Sequence, residues 1–239
     1  MLQRHLWKLV FHVVVLGMAF FLYFFDIARL DFTSMLQEGF GGIFLWVVWG
    51  TFVVGMLLRI FPNRKIAVGA RKHFQCTYKG AEFDAADTAD TARMMKLLNR
   101  GALVSALAWL ACSVAFFFAL FLIGKLASAA ILVLTLIYSV IDLVFILFFC
   151  PFRVLFLKNH CCTVCRIYNW DYFMMCAPLI FFPSFFSISL FLLSLIVLLR
   201  WEMALRKNPH FFAKETNENL RCDSCDDKLC KIRLRIFRA

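Results

Sequence analysis

The stretch YFMMCAPLIFFPSFFSISLFLLSLIVLL, residues 172–199, decides how this chain is threaded. It carries no charge over 28 residues. As one continuous helix it would reach roughly 42 Å, well beyond a hydrocarbon core of ~30 Å. It also holds Pro178 and Pro183. Proline lacks a backbone N–H and kinks or breaks a helix. The stretch therefore divides at Pro183 into a short arm and a longer one, each below ordinary spanning length. Two threadings follow: a re-entrant hairpin that enters and leaves by the same face, or one long, tilted or kinked fifth span.

Outward from that stretch lie four more apolar runs, Leu6 to Phe25, Ile43 to Ile60, Ala102 to Ile123 and Ser128 to Cys150. Each approaches or reaches the roughly 20 residues that a helix needs to cross a bilayer. With 63% of its 239 residues hydrophobic and 17% charged, the chain has more apolar surface than a soluble domain of that length can bury. Backbone groups in hydrocarbon must be satisfied within the segment, and the alternation of a barrel strand is absent, so the runs are expected to be helices. The first run has the basic residues Arg4 and Lys8 of a secretion signal but no small-residue cleavage site, and Asp26, Arg29 and Asp31 follow it, so it reads as a retained span. The expected fold is an all-α integral membrane protein with four transmembrane helices plus a proline-broken re-entrant (or fifth transmembrane) segment. Its parts are the first two spans (1–60), a basic loop with a helix (61–101), spans three and four (102–150), a cysteine cluster (151–171), the broken segment (172–199) and a basic, cysteine-containing tail (200–239).

The net charge of +11 orients these parts. Arg64, Lys65, Arg71, Lys72, Lys79, Arg93, Lys96 and Arg100 crowd the loop between the second and third spans, whereas Asp26 to Gly42 has Arg29 alone against Asp26, Asp31 and Glu38. The positive-inside rule then puts the N-terminus in the cytoplasm of a cell whose inner membrane holds the protein. With a hairpin at 172–199 the tail stays on that side too, leaving only Arg29 and Lys125 of 26 basic side chains outside. A full fifth crossing would export the basic tail. The loop charges are expected to meet anionic lipid headgroups rather than nucleic acid, because no aromatic-interleaved nucleic-acid motif accompanies them. Glu82 to Arg100 reads as a cytoplasmic helix, acidic at its start and basic at its end in accord with the helix dipole.

Ten cysteines are present, and their placement is uneven. Cys112, Cys150 and Cys176 fall within or beside apolar runs and read as small hydrophobes. Six others form two polar groups, Cys161, Cys162 and Cys165 before the broken segment and Cys222, Cys225 and Cys230 after it. The pairs Cys162/Cys165 and Cys222/Cys225 have the Cys-x-x-Cys spacing in which one tight turn aims two sulfurs at one ion, so two such turns complete a tetrahedron. Cys161, Cys230 and His160 are further candidate ligands. Structural zinc is the first expectation. An iron–sulfur cluster or a thiol/disulfide pair is the alternative. Both groups can share one ion only if both face the same side, so the metal question and the threading question are linked.

Asp142 lies within the fourth run, where an ionised carboxylate is costly. It sits roughly 10 Å from the expected cytoplasmic end of its helix, and His12 lies at about the same depth in the first helix. The two could pair structurally, or serve a small transporter or channel. No phosphate-binding loop, zinc-protease helix or hydrolase elbow is found. Between the first cysteine group and the broken segment stands Arg166-Ile167-Tyr168-Asn169-Trp170-Asp171, with Trp170 and Tyr172 suited to the headgroup boundary and Asp171 to a helix cap. On the run His160-Cys161-Cys162-Thr163-Val164-Cys165-Arg166-Ile167-Tyr168-Asn169-Trp170-Asp171, together with the Cys222 to Cys230 tail, the chain resembles a group of uncharacterised bacterial multi-pass membrane proteins. The resemblance implies a shared architecture and no activity.

Overall fold

Five long apolar helices, each satisfying its own backbone, account for most of the chain, as hydrocarbon solvation demands. A computed structural model describes residues 2–25, 39–61, 72–74, 87–124, 127–157, 162–213 and 216–221. The helices are α1 (Leu2–Phe24), α2 (Phe40–Ile60), α3 (Asp87–Leu122), α4 (Ser128–Leu147), the short α5 (Asp171–Cys176) and α6 (Phe185–Lys207). All except α5 are long and apolar enough to cross a membrane. α3 begins on the polar side of the expected loop helix and runs 36 residues without a break into the third apolar run. At about 54 Å it exceeds any bilayer core, so its polar first turns stand clear of the apolar layer. Gly124, at φ 70°, follows α3 in the left-handed conformation that only glycine adopts cheaply.

Side-chain pairings give the directions of the helices. His5 of α1 and Ile146 of α4 line one cavity, so the start of α1 lies beside the end of α4 and the two run antiparallel. The Trp49 indole of α2 donates to Ser189 Oγ of α6 at 2.9 Å, while Arg200 of α6 sits over the Phe61 ring at 5.8 Å. α2 and α6 are therefore parallel. The ends of α2, α4 and α6 and the starts of α1 and α3 gather at one end of the bundle, here called proximal. The apolar core between the helices contains Ala19 and Leu22 of α1, Leu45 and Met56 of α2, Ile131 and Leu136 of α4 and Leu190 of α6.

The broken stretch leaves the proximal end as α5, tightens into a 3-10 turn over Ala177–Phe181, breaks at Phe182 to Ser184 and returns as α6. Each irregularity has its backbone accounted for. Pro178 offers no N–H to the carbonyl three residues back, and the Thr135 hydroxyl of α4, also 3.0 Å from its own Ile131 oxygen, stands 3.3 Å from that Met175 oxygen. At the tip, Ser184 and Ser187 form a capping box, and the Ser187 hydroxyl donates to Phe182 O at 2.7 Å. The Phe185 ring faces Trp46 and Trp49, and the Phe181 ring faces Phe117. Counting residues along α2 and α3, the tip lies about 8–13 Å short of their distal ends.

A second, smaller core caps the proximal end. Trp201 of α6 is fully buried among Met95, Phe211 and Phe212, and His73 packs edge-on against it at 4.9 Å. Asn217 ties the tail down by donating to the carbonyl oxygens of Lys72 and Phe211, both at 2.8 Å. Lys72, expected at lipid headgroups, is instead buried in this cap.

Candidate functional site: a polar cavity and a thiol group at the proximal end

Arg59, one residue from the end of α2, organises the proximal end. Its guanidinium makes a two-pronged contact with Asp171, Nη1 donating to Oδ1 at 2.8 Å and Nη2 to Oδ2 at 2.5 Å. Nη1 also donates to Tyr168 O at 2.9 Å and Asn169 Oδ1 at 2.8 Å. The rings of Tyr168 and Tyr172 lie over the guanidinium, their centroids 4.6 and 4.8 Å away. Such a planar cation, forked onto a carboxylate and stacked between aromatic rings, uses every property that distinguishes arginine from lysine. Asp171 stands at the first position of α5 with its Oδ1 accepting from Tyr172 N. It therefore accepts a first-turn backbone N–H, as expected, and pairs with α2 as well.

The other half of the same segment is held from α6. Arg166 forks onto Glu202 at 2.7 and 2.6 Å, and the Trp170 indole donates to Glu202 Oε1 at 2.7 Å. Asn99 of α3 accepts from Arg166 Nε, and the buried Trp201 indole donates to Arg166 O. Trp170 and Tyr172 thus serve polar contacts within the protein in addition to any boundary role.

Between this segment and helices α1, α2 and α4 lies a cavity of about 70 Å³, room for a few water molecules. One wall is the α1 face carrying His5, Lys8 and His12. The opposite wall carries Asp142, with Arg59 and Asp171 beside it, and the floor is Thr51, Phe52, Ser139 and Met175. Thr51 and Ser139 lie about 12–14 Å along their helices from the proximal end, so the polar space reaches toward the middle of the apolar layer. His12 Nδ1 donates to Lys8 O at 2.7 Å. Asp142 and Asp171 line the same cavity, with Arg59 beside them. The cavity brings His12 and Asp142 to one space, as their matched depth suggested, and Arg59 and Asp171 line it as well.

The first cysteine group is partly assembled. Cys162 and Cys165 are buried at either end of a 3-10 turn, Cys165 N donating to Cys162 O at 3.0 Å. The Cys162 thiol reaches back to Phe145 O of α4 at 3.5 Å. Cys150 is half-buried beyond the end of α4, and hydrogen bonding with Cys162 holds its thiol below the ordinary pKa. Cys112, Cys150, Cys162, Cys165 and Cys176 are all free of disulfides. His160, Cys161, Cys222, Cys225 and Cys230 lie outside the described residues. Among the described residues, no three His, Cys, Asp or Glu side chains form a group able to hold a metal ion.

Arg59, Glu202 and His5 carry no mark in the sequence, and Lys8 stands out there only as a basic residue at the head of the first run. Each stands near the end of an apolar run, where a charge reads by default as a headgroup anchor. The only available signal was the polarity of Arg166 to Asp171, which needs buried partners.

Fold and site together define a class: a helical protein with five candidate membrane spans and a polar cavity among them. No protein-family model matches the chain, and no curated protein or solved structure is significantly similar to it.

Proposed function

We propose that the chain is a multi-pass inner-membrane protein that moves protons, alone or with a small solute, through the cavity between α1, α4 and the Arg166 to Asp171 segment. The observation that carries this reading is the cavity itself, a polar space with His5, Lys8 and His12 on one wall and Asp142 beside Asp171 on the other. Ionisable groups within an apolar layer are expensive, and proton relays are a use that repays them. Asp142 and His12 are the exchanging groups, and Arg59 holds Asp171 in place beside Asp142. The N-terminus and the basic loops face the cytoplasm, against anionic headgroups.

In this reading α5 and α6 form a re-entrant hairpin. Its support is the tip short of the distal ends, the self-satisfied backbone at Phe182 to Ser187, and both hairpin feet at the proximal end. The test is proton flux in vesicles carrying a pH-sensitive dye under an imposed potassium potential. Wild type should conduct, and Asp142→Asn should abolish flux while leaving helicity and the unfolding midpoint unchanged. Flux through Asp142→Asn equal to wild type refutes the reading.

A second reading is favoured by the burial of Cys162 and Cys165 in a single turn. With Cys222 and Cys225 they would form a four-thiolate zinc centre stapling the hairpin's two feet, or an iron–sulfur cluster. Metal analysis and an absorption spectrum of anaerobically purified protein distinguish zinc, iron or neither.

A further inference from the structure

The cavity's polar lining comes in opposed rows. His5, Lys8 and His12 are spaced by three and four residues and so fall on one face of α1. Ser139 and Asp142 stand one turn apart on the facing side of α4. Because the two helices are antiparallel, His12 and Ser139 are the innermost polar side chains of their rows, and His5 is the outermost of its own. Ser139 is only 4% exposed, and among the described residues its hydroxyl has no hydrogen-bond partner. Thr51 spends its proton on Val47 O at 2.8 Å, which leaves Ser139 as the hydroxyl donor of the floor. A buried donor is costly to leave unmade, so a polar occupant belongs against it. Beside it the floor is apolar, with Phe52 and Met175 both buried.

Charge decides the kind of occupant. Asp142 is faced by His5, Lys8 and His12 from α1 and by Arg59 from α2. Tyr168, Asp171 and Tyr172 line the space from the motif segment. Arg59 and Asp171 are forked together and neutralise each other. Lys8 and two imidazoles then stand against Asp142 alone. Once Asp142 carries a proton the lining has one positive charge in excess, and in an apolar layer an anion restores neutrality. A cation gains nothing there, since it meets Lys8 and Arg59 and the proton has taken its carboxylate. The space has room for a few water molecules, enough for a carboxylate whose carbon end rests on Phe52 and Met175.

We propose that the cavity binds a small monocarboxylate of the size of formate or acetate, held by Lys8 and Ser139, and that the anion loads together with the proton on Asp142. The inference rests on the reading of Asp142 as a proton carrier and names the solute that travels with it. The carboxylate accepts from the Lys8 ammonium and the Ser139 hydroxyl. An ionised Asp142 repels it, which couples the two loadings.

The experiment measures equilibrium binding of radiolabelled formate to the full chain in detergent, at mildly acidic and mildly alkaline pH. A single saturable site is expected at acidic pH, weakened about tenfold at alkaline pH and competed by acetate but not by chloride. Lys8→Gln and Ser139→Ala should each weaken binding about tenfold, the loss of one hydrogen bond to a charged group, with helicity and the unfolding midpoint unchanged. Asp142→Asn, neutral at every pH, should bind with the same affinity at both. A pH dependence that survives in Asp142→Asn overturns the coupling, because a histidine then carries the proton. Absence of saturable binding, equal competition by chloride, or an affinity indifferent to both Lys8→Gln and Ser139→Ala overturns the site. Binding in detergent needs no flux. A chain that binds formate yet conducts protons through Asp142→Asn refutes the proton reading alone, and one that conducts protons without binding formate refutes this inference alone.

Discussion

Removing the charge of Arg59 should unfold the proximal end more readily than any comparable change in the apolar core. The pair is buried, with side-chain exposures of 13% for Arg59 and 9% for Asp171. Four hydrogen bonds leave the guanidinium, two of them to the carboxylate. Deleting one partner of such a pair costs about 3–5 kcal/mol, because the other charge is left without compensation. Arg59→Met belongs at the upper end of that range, since it strands Asp171 beside a second carboxyl, Asp142. Asp171→Asn belongs at the lower end, since Asp142 lines the same cavity as Arg59 and can serve as its counter-ion. Replacing both members by apolar side chains removes both desolvation costs, so Arg59→Met/Asp171→Leu should be more stable than Arg59→Met alone. Asp142→Asn/Asp171→Asn should be worse than the sum of its parts, because no counter-ion remains. The assay is equilibrium unfolding in mixed micelles followed by tryptophan fluorescence. Single variants within about 1 kcal/mol of wild type, or a coupling energy under about 0.5 kcal/mol, would refute the reasoning.

Two further changes test the packing around that pair. A methyl on Gly55 would stand 2.0 Å from the Tyr172 hydroxyl, so Gly55→Ala should expel the ring from the Arg59 stack at a cost of about 1–3 kcal/mol. Tyr172→Phe should relieve part of that cost in the double variant; unfolding midpoints with no rescue would show that Tyr172 is not the obstacle. Glu202→Gln leaves Arg166, 5% exposed, without its carboxylate and should cost about 3–5 kcal/mol by the same argument as for Arg59. It should also raise protease sensitivity near Trp201, where the cap is anchored, and unchanged limited proteolysis would count against that anchoring.

The helices were legible because hydrocarbon leaves a sequence few options. Ile43 to Ile60 became Phe40–Ile60, and Ser128 to Cys150 became Ser128–Leu147, ending as the chain approaches Pro151. The break at Pro183 was visible for the same reason: a proline cannot continue the helix, and α6 starts afresh at Phe185 behind the Ser184–Ser187 capping box. The matched depths of His12 and Asp142 followed from counting turns. Partners distant in sequence were not legible. Arg59 and Asp171 are 112 residues apart, and Arg59 by itself is an arginine at the end of a span.

What the sequence did show was a segment too polar for its place, and the structure gives a physical reason for that polarity. Apolar faces of Phe, Leu and Ile pack against one another in many registers, and in lipid the hydrophobic effect does not choose among them. The Arg166 to Asp171 segment chooses by charge. It presents its arginine to an acid on α6 and its acid to an arginine on α2, two forks of opposite sense only five residues apart. Neither fork can form if α6 slides by a turn against α2, and exchanging the partners would set like charges together. The pairing that shapes the cavity wall is thus also the one that sets the depth of α6 against α2, so a variant that loosens one should disturb the other.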